Sequence, residues 1–146
     1  MLDRIRQAVA QIIALTDSRG IFLSAFDKTW ALLISSGVLT TDKTMEQVID
    51  MLYHGLIESH TTTDHIVVDI IDTLTTITSP DLLTHIDIQT QGIAVATIDH
   101  SKSGVMLPAT MGVHNAFDAL SLLKQKHNIE WNIVLYTFTT KRLSVK

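Results

Sequence analysis

GIAVATIDHSKSGVMLP, residues 92–108, is the stretch that decides the fold. Two apolar segments flank a polar segment that ends in Gly104, an arrangement that is typical of a β-hairpin. Pro108 is one of only two prolines in the chain, and it cannot donate a hydrogen bond to a neighbouring strand. We therefore expect the second strand of this hairpin to stop at Pro108 or to lie at a sheet edge.

Apolar residues at helical spacing predict three main helices. The first begins at the N-terminus, and the second begins at the capping box Thr44-Met-Glu-Gln47 and extends to about His60. The third ends near Lys124, whose positive charge suits a helix C-terminus. The predicted apolar faces consist of Leu2, Ile5, Val9, Ile12 and Ile13, then Met45, Val48, Ile49, Leu52 and Leu56, then Val113, Ala116, Phe117, Leu120 and Leu123.

Segments rich in apolar and β-branched residues predict about six strands. GIFLSAF and TWALLIS form a hairpin around Asp27-Lys28 that ends at Gly37, HIVVDIIDTLTTIT forms a long strand, and NIVLYTFTT forms the closing strand. Pro80 opens a short helix, because proline suits a first helical position. Hairpins mixed with helices, without regular β-α-β alternation, predict an α+β fold with a mainly antiparallel sheet. We expect a single domain over residues 1–146.

The bulk composition excludes several classes of function. The chain has a net charge of −4 and no concentrated Lys/Arg stripe, so we do not expect it to bind nucleic acid. It has no cysteine, which excludes disulfides and thiolate sites and fits a cytoplasmic protein. No apolar run approaches the roughly 18 to 20 residues that a membrane span requires, so we predict no membrane association.

The run Ser103-Gly104-Val105-Met106-Leu107-Pro108, with Gly92-Ile93 before it, resembles a motif of the AMMECR domain family. RIRQAV, GIFLSAFDK, VVDIIDTLTTI and WNIVLYTFT resemble other segments of that family in the same order. The resemblance implies an AMMECR-like fold. It also implies Memo-type or radical-SAM proteins as partners, because members of the family are associated with them in genomes. It implies no particular reaction.

The family's most distinctive motif is replaced in this chain. Where the resemblance leads us to expect Leu-Arg-Gly-Cys-Ile-Gly, the sequence has Leu-Leu-Ile-Ser-Ser-Gly, residues 32–37. Leu33 stands in the place of the arginine and Ser35 in the place of the cysteine, so a group that could bind an anion and a possible nucleophile are both missing. An Asp-Pro-Arg-Phe segment is also missing. We interpret the chain as a small, divergent member of the family.

Two hypotheses about function follow. The first is a binding or assembly module without catalytic activity, acting on a protein partner or a second copy of itself. The second is an enzyme or accessory subunit with a small-molecule cleft between residues 35–37 and residues 103–108. Its candidate ligand-binding residues are Ser35, Ser36, Gly37, Ser103 and Gly104.

Several sharper interpretations are weaker than ordinary structural ones. The histidines and acids considered for a metal do not have metal-ligand spacing; they are His54, His60, His65, Asp64, Asp69 and Asp72. Ser35 and Ser36 lack a motif that would make one of them a nucleophile paired with His100 or His114. The SKSG segment with Lys102 suits a turn better than an anion-binding site. We therefore predict no catalytic residue, no metal ligand and no cofactor. Most aromatic side chains are expected in the core. Leu32, Leu33 and Ile34 cannot all face inward on one strand, so a helix of this chain or a second subunit should cover one side.

Overall fold

The computed structural model describes residues 1–60, 62–130 and 132–146, apart from the side chain of Leu56. Leu56 and Trp131, which enter the sequence predictions, therefore lie outside the described side chains. In these ranges the helices are α1 (Leu2–Ala10), α2 (Met45–Leu52) and α3 (Ala116–Lys126), with a π-helical turn at Tyr53–Ile57 and a 3-10 helix at Pro80–His85. The strands are β1 (Ile21–Phe26), β2 (Leu32–Val38), β3 (His65–Ile77), β4 (Gln91–Thr97), β5 (Ser103–Met106) and β6 (Ile133–Val145).

The strands form one antiparallel sheet in the order β2-β1-β3-β6-β4-β5. Both predicted hairpins are present, because β1 pairs with β2 and β4 pairs with β5. Three main helices accompany the sheet, so the α+β fold class predicted from the sequence is confirmed. No helix of the described chain is long and apolar enough to cross a membrane.

The chain divides into two compact units. Unit 1 comprises Met1–Ile71 and Lys141–Lys146, and unit 2 comprises Asp72–Thr140. Strands β3 and β6 each contribute residues to both units. The prediction of a single domain stays a prediction, and each unit is described by itself below.

The core of unit 1 lies between two helices and one face of its strands. Alternate residues of β1 and β3 point to this face, as the period of a strand requires. Thr44 caps α2, with its hydroxyl accepting from the Gln47 N–H at 3.3 Å and its own N–H donating to the Gln47 side chain at 3.1 Å. The predicted capping box is therefore confirmed. The main buried residues are Ile5, Val9, Ile21, Leu23, Met45, Val48, Ile49, Ile66, Val68 and Ile70.

The core of unit 2 lies between α3 and the β4–β5 hairpin. Ala116, Ala119 and Leu123 of α3 are buried against Ile93 and Val95 of β4. Asn115 caps this helix by accepting a hydrogen bond from the Asp118 N–H at 2.9 Å. Pro80 begins the short 3-10 helix as predicted, and Pro108 follows the end of β5 as the opening stretch predicts.

Some sequence predictions were wrong in detail. Gly37 does not end the first hairpin but lies inside β2 opposite Phe22, and a β-carbon there would collide with the Ile21 carbonyl oxygen. Helix α2 ends at Leu52, and a π-helical turn over Tyr53–Ile57 follows it. The helical segment therefore stops before His60, where the sequence predicts its end. Ile12 and Phe117 were assigned to apolar helix faces but are exposed, because α1 ends at Ala10 and α3 buries mainly small side chains.

Candidate functional site

Ser35 lies on β2 directly opposite Ser24 of β1, and their hydroxyl oxygens are 2.8 Å apart. The Ser24 side chain is buried, with 4% of the residue exposed, whereas Ser35 is exposed. Each hydroxyl is therefore the hydrogen-bond partner of the other. A serine nucleophile needs a base within hydrogen-bond reach, and Ser35 has a second hydroxyl there instead. The arrangement suits a structural cross-strand bond better than nucleophilic catalysis.

Ser36 and Gly37 continue the same pairing, with Ser36 opposite Leu23 and Gly37 opposite Phe22. Because Gly37 allows the Ile21 carbonyl to approach closely, its role in the structure is packing. No described contact gives these two residues a ligand-binding role.

Leu33 is the extra residue of a β-bulge. Ala25 pairs with Ile34 and Phe26 pairs with Leu32, so Leu33 has no opposite residue on β1. A bulge changes the direction of neighbouring side chains. As a result, both Leu33 and Ile34 pack against the unit 1 core, whereas Leu32 is 59% exposed. Unit 1 therefore covers two of the three consecutive apolar residues and leaves the first uncovered.

The β1–β2 turn presents Trp30 to solvent beside Leu32. Trp30 is 53% exposed and has a left-handed backbone with φ of 65°. Its ring stacks on the His65 ring with centroids 4.2 Å apart and planes only 3° from parallel, and it contacts Phe26 at a centroid distance of 5.6 Å. Trp30 is thus an exception to the expectation that most aromatic side chains lie in the core.

Asp27 holds this turn in its conformation. One carboxylate oxygen accepts hydrogen bonds from the Thr29 hydroxyl at 2.7 Å, the Thr29 N–H at 2.8 Å and the Ala31 N–H at 3.0 Å. The Thr29 hydroxyl and the Ala31 N–H lower the pKa of Asp27, so the carboxylate stays charged near neutral pH. Trp30 is thus displayed by an ordered turn. We refer to Trp30, Leu32 and the rest of β2 as the β2 edge.

The other two candidate residues lie in unit 2. Ser103 is exposed and begins β5, and Gly104 is buried against α3. A β-carbon at Gly104 would lie 2.5 Å from Cδ2 of His127, the residue that caps the end of α3. Gly104 is therefore needed for close packing of the hairpin against the helix. Strands β2 and β5 are the first and the last in the sheet order, and the predicted cleft between residues 35–37 and 103–108 stays a prediction.

An open depression of about 610 Å³ lies at the β4–β5 turn in unit 2, and none of the five candidate ligand-binding residues lines it. The Lys102 ammonium donates to the Asn128 carbonyl at 2.8 Å at its rim. The Ser101 N–H, followed by the hydroxyls of Thr97 and Ser101, lowers the pKa of Asp99 to about 2. Asp99 is exposed and already accepts these three bonds, so the depression offers one fixed anion, a second acid in Glu130 and one cation in Lys102. Its lining comprises Thr97, Ile98, Asp99, Ser101, Lys102, Asn128, Ile129, Glu130 and Asn132.

Three of the side chains considered for a metal serve other contacts. The His54 ring pairs with the Glu58 carboxylate at 2.8 Å, and His65 stacks on Trp30. Asp69 is fully buried and accepts from the Arg142 guanidinium at 2.8 and 3.2 Å. Within the described residues, no group of three or more histidines and acids could hold a metal ion.

Sequence reasoning missed the Asp69–Arg142 pair. The two residues are 73 positions apart, and Arg142 lies near the end of β6. The available signal was Asp69 itself, an acid within the aliphatic run HIVVDII, because a carboxylate in a buried strand needs a charged or hydrogen-bonding partner. The sequence does not show which of the cations would provide it.

No family model and no curated protein matches this chain. Among solved structures, the chain is similar to the crystal structure of the uncharacterized protein PH0010 from Pyrococcus horikoshii, with a TM-score of 0.71. The match covers 90% of this chain and 76% of that chain, at 15% sequence identity. Similarity at this level of identity supports the fold and says nothing about activity.

Proposed function

We propose that this chain is a binding or assembly module without catalytic activity, and that the β2 edge is its binding surface. The observation that carries the proposal is the exposure of Leu32 and Trp30 at the start of an uncharged strand that ends the sheet order. An extended segment of a partner can add to such an edge through main-chain hydrogen bonds, with side chains such as Leu32 giving additional contact.

The state of Ser35 supports the non-catalytic part of the proposal. Its hydroxyl bonds to Ser24, and the bulge directs Leu33 into the unit 1 core. These are the two positions at which an AMMECR-like motif would carry its cysteine and arginine. We therefore propose a divergent AMMECR-like domain, and a cytoplasmic location is consistent with the absence of cysteine in the sequence.

The resemblance names the partners with which to test the proposal. Immobilised wild-type protein is expected to bind a Memo-type or radical-SAM protein encoded in the same genome, as measured by biolayer interferometry. Leu32→Lys should weaken that binding at least about ten-fold, since a lysine on an edge strand opposes strand addition. Leu122→Lys on α3 replaces another exposed leucine and is the matched control.

Two results would count against the proposal. Equal binding by wild type and Leu32→Lys would remove the β2 edge as the binding surface. Failure of the wild type to bind either protein or a second copy of itself would remove the binding role altogether.

The depression at the β4–β5 turn favours a second candidate function, a small-molecule site of an enzyme or accessory subunit. Lys102 and Asp99 offer opposite charges that would suit a zwitterionic or polar ligand. In a thermal-shift screen of such compounds, a ligand of this site should raise the melting temperature of the wild type, and Lys102→Ala should abolish the shift. An equal shift in both proteins would place the ligand elsewhere.

A further inference from the structure

The β2 edge has unusual composition for an exposed strand. The seven residues of strand β2 itself, Leu32–Val38, include no charged residue and no proline. Natural edge strands usually carry charged residues or proline, because the unpaired N–H and C=O groups of an edge otherwise pair with another strand. The bulge at Leu33 is confined to the beginning of β2, and the pairing with β1 is regular from Ile34 to Val38. Within the described residues, β1 is the only strand paired with β2.

The sequence of β2 is complementary to itself. In an antiparallel pair of two copies centred on Ser35, Ile34 of one copy lies opposite Ser36 of the other, and Leu33 lies opposite Gly37. Ile34 and Leu33 therefore each meet a small residue, and Leu32 at the beginning of one strand meets Val38 at the end of the other in an apolar pair. A two-fold axis through Ser35 repeats every contact, which is how most soluble homodimers are built.

The charges that flank the strand fit the same arrangement. Asp27 and Lys28 precede β2, and Asp42 and Lys43 follow it. Antiparallel pairing brings the beginning of one copy beside the end of the other, so Lys28 of one copy lies toward Asp42 of its mate, whereas the Asp27 carboxylate already serves the turn. The uncharged strand between them adds no like-charge repulsion, although each chain has a net charge of −4.

We infer that two copies of this chain associate through antiparallel pairing of their β2 strands, with Ser35 on the two-fold axis. The inference rests on the proposed role of the β2 edge in binding and identifies its occupant as a second copy. The end of the second strand would lie beside Leu32 and Trp30 and cover part of their exposed surface. No catalytic step is involved.

An introduced cysteine tests the geometry directly, because the chain contains none of its own. Residues directly opposite each other in an antiparallel pair have Cα atoms about 4.5–5.5 Å apart, which lies within the range of Cα separations, about 4.4–6.8 Å, that a disulfide spans. Ser35→Cys should therefore form a disulfide-linked dimer under mild oxidation that dithiothreitol reverses. Ser36→Cys, one residue off the axis, and Ser103→Cys, exposed at the start of the other terminal strand, should cross-link at least about ten-fold more slowly.

Sedimentation of the unmodified protein provides the second measurement. The wild type should show a concentration-dependent monomer–dimer equilibrium, and Ser35→Lys should raise its dissociation constant at least about ten-fold by placing two ammonium groups opposite each other. Ser35→Ala, which keeps a small neutral side chain, is the control. Circular dichroism verifies that each variant is folded. If Ser35→Lys does not fold, the cross-linking rates of the cysteine variants test the pairing of the β2 strands.

The outcomes separate this inference from the proposed function. A monomeric wild type together with no preferential cross-linking of Ser35→Cys would overturn self-pairing. The same holds for a wild-type dimer in which Ser103→Cys or Ser36→Cys cross-links as fast as Ser35→Cys. In either case, loss of Memo-type or radical-SAM binding in Leu32→Lys would still support the β2 edge as a binding surface for another protein.

Discussion

Removal of the Arg142 guanidinium should destabilise unit 1 strongly, because the Asp69 carboxylate that it contacts is 0% exposed. Arg142→Met keeps much of the aliphatic length of the side chain but deletes the two donors at 2.8 and 3.2 Å from the Asp69 oxygens. Breaking a buried pair by removing one partner costs about 3–5 kcal/mol. The Arg142 side chain is 40% exposed, so the lower limit, about 3 kcal/mol in the free energy of unfolding, applies here.

A double variant separates the loss of the pair from the cost of burying a charge. In Asp69→Leu/Arg142→Met, the carboxylate is gone as well, and replacing both members of a buried pair by apolar residues is often neutral or stabilising. We therefore expect the double variant to recover most of the stability lost in Arg142→Met. Urea unfolding followed by circular dichroism measures both free energies.

The control is Arg4→Met, which removes another guanidinium near the chain terminus. Arg4 donates to the Lys146 carbonyl at an exposed position, and its loss should change stability by no more than about 0.5 kcal/mol. A loss below about 1 kcal/mol in Arg142→Met, or a double variant as unstable as the single one, would refute the reasoning.

Three further predictions concern local structure. Gly37→Ala should lower the free energy of unfolding by about 1–3 kcal/mol, measured in urea, because the new methyl group would lie 2.2 Å from the Ile21 carbonyl oxygen, a backbone atom that cannot move aside easily; Gly55→Ala, with open space around the added carbon, should not. Thr44→Ala should cost about 1 kcal/mol by the same measurement, because it removes the hydroxyl that caps α2. The pKa of Asp99, followed through the NMR shift of its carboxyl carbon, should be about 2 instead of the ordinary 3.8. The charged carboxylate therefore stabilises the folded state above pH 3.8, and this stabilisation is lost as the pH falls through 2. A midpoint for Asp99 near 3.8 would show that the turn does not hold the anion.

Local chemistry explains which parts of the fold the sequence predicts. Thr44 and Gln47 exchange hydrogen bonds within one helical turn, and the ring of Pro80 fixes its own backbone angle at the first position of a helix. Residues close in sequence therefore determine where both helices begin. The position of Pro108 just after β5 follows for the same reason, since the missing N–H is a property of the residue itself.

Features that depend on distant partners do not follow from the sequence in this way. The close approach of the Ile21 carbonyl, which makes Gly37 an interior residue of β2, appears only once the strands are paired. The stack of Trp30 on His65 joins the β1–β2 turn to the start of β3, so composition alone does not show which aromatic side chain lies at the surface. The candidate site residues were chosen from a motif, and a motif gives positions without the contacts that decide their roles.

If β2 derives from the proposed AMMECR-like motif, positions 33 and 35 fit the present structure better than the arginine and cysteine would. An arginine at position 33 would stand where the bulge now directs an apolar side chain into the unit 1 core, and its charge would have to reach solvent or a partner. A hydroxyl at position 35 completes the hydrogen bond that buried Ser24 needs, which a thiol would do only weakly. Leu33 and Ser35 thus each satisfy a requirement of the present structure. The segment that would carry chemistry in an AMMECR-like site is in this chain a stable, uncharged strand, and such a strand can recognise another strand.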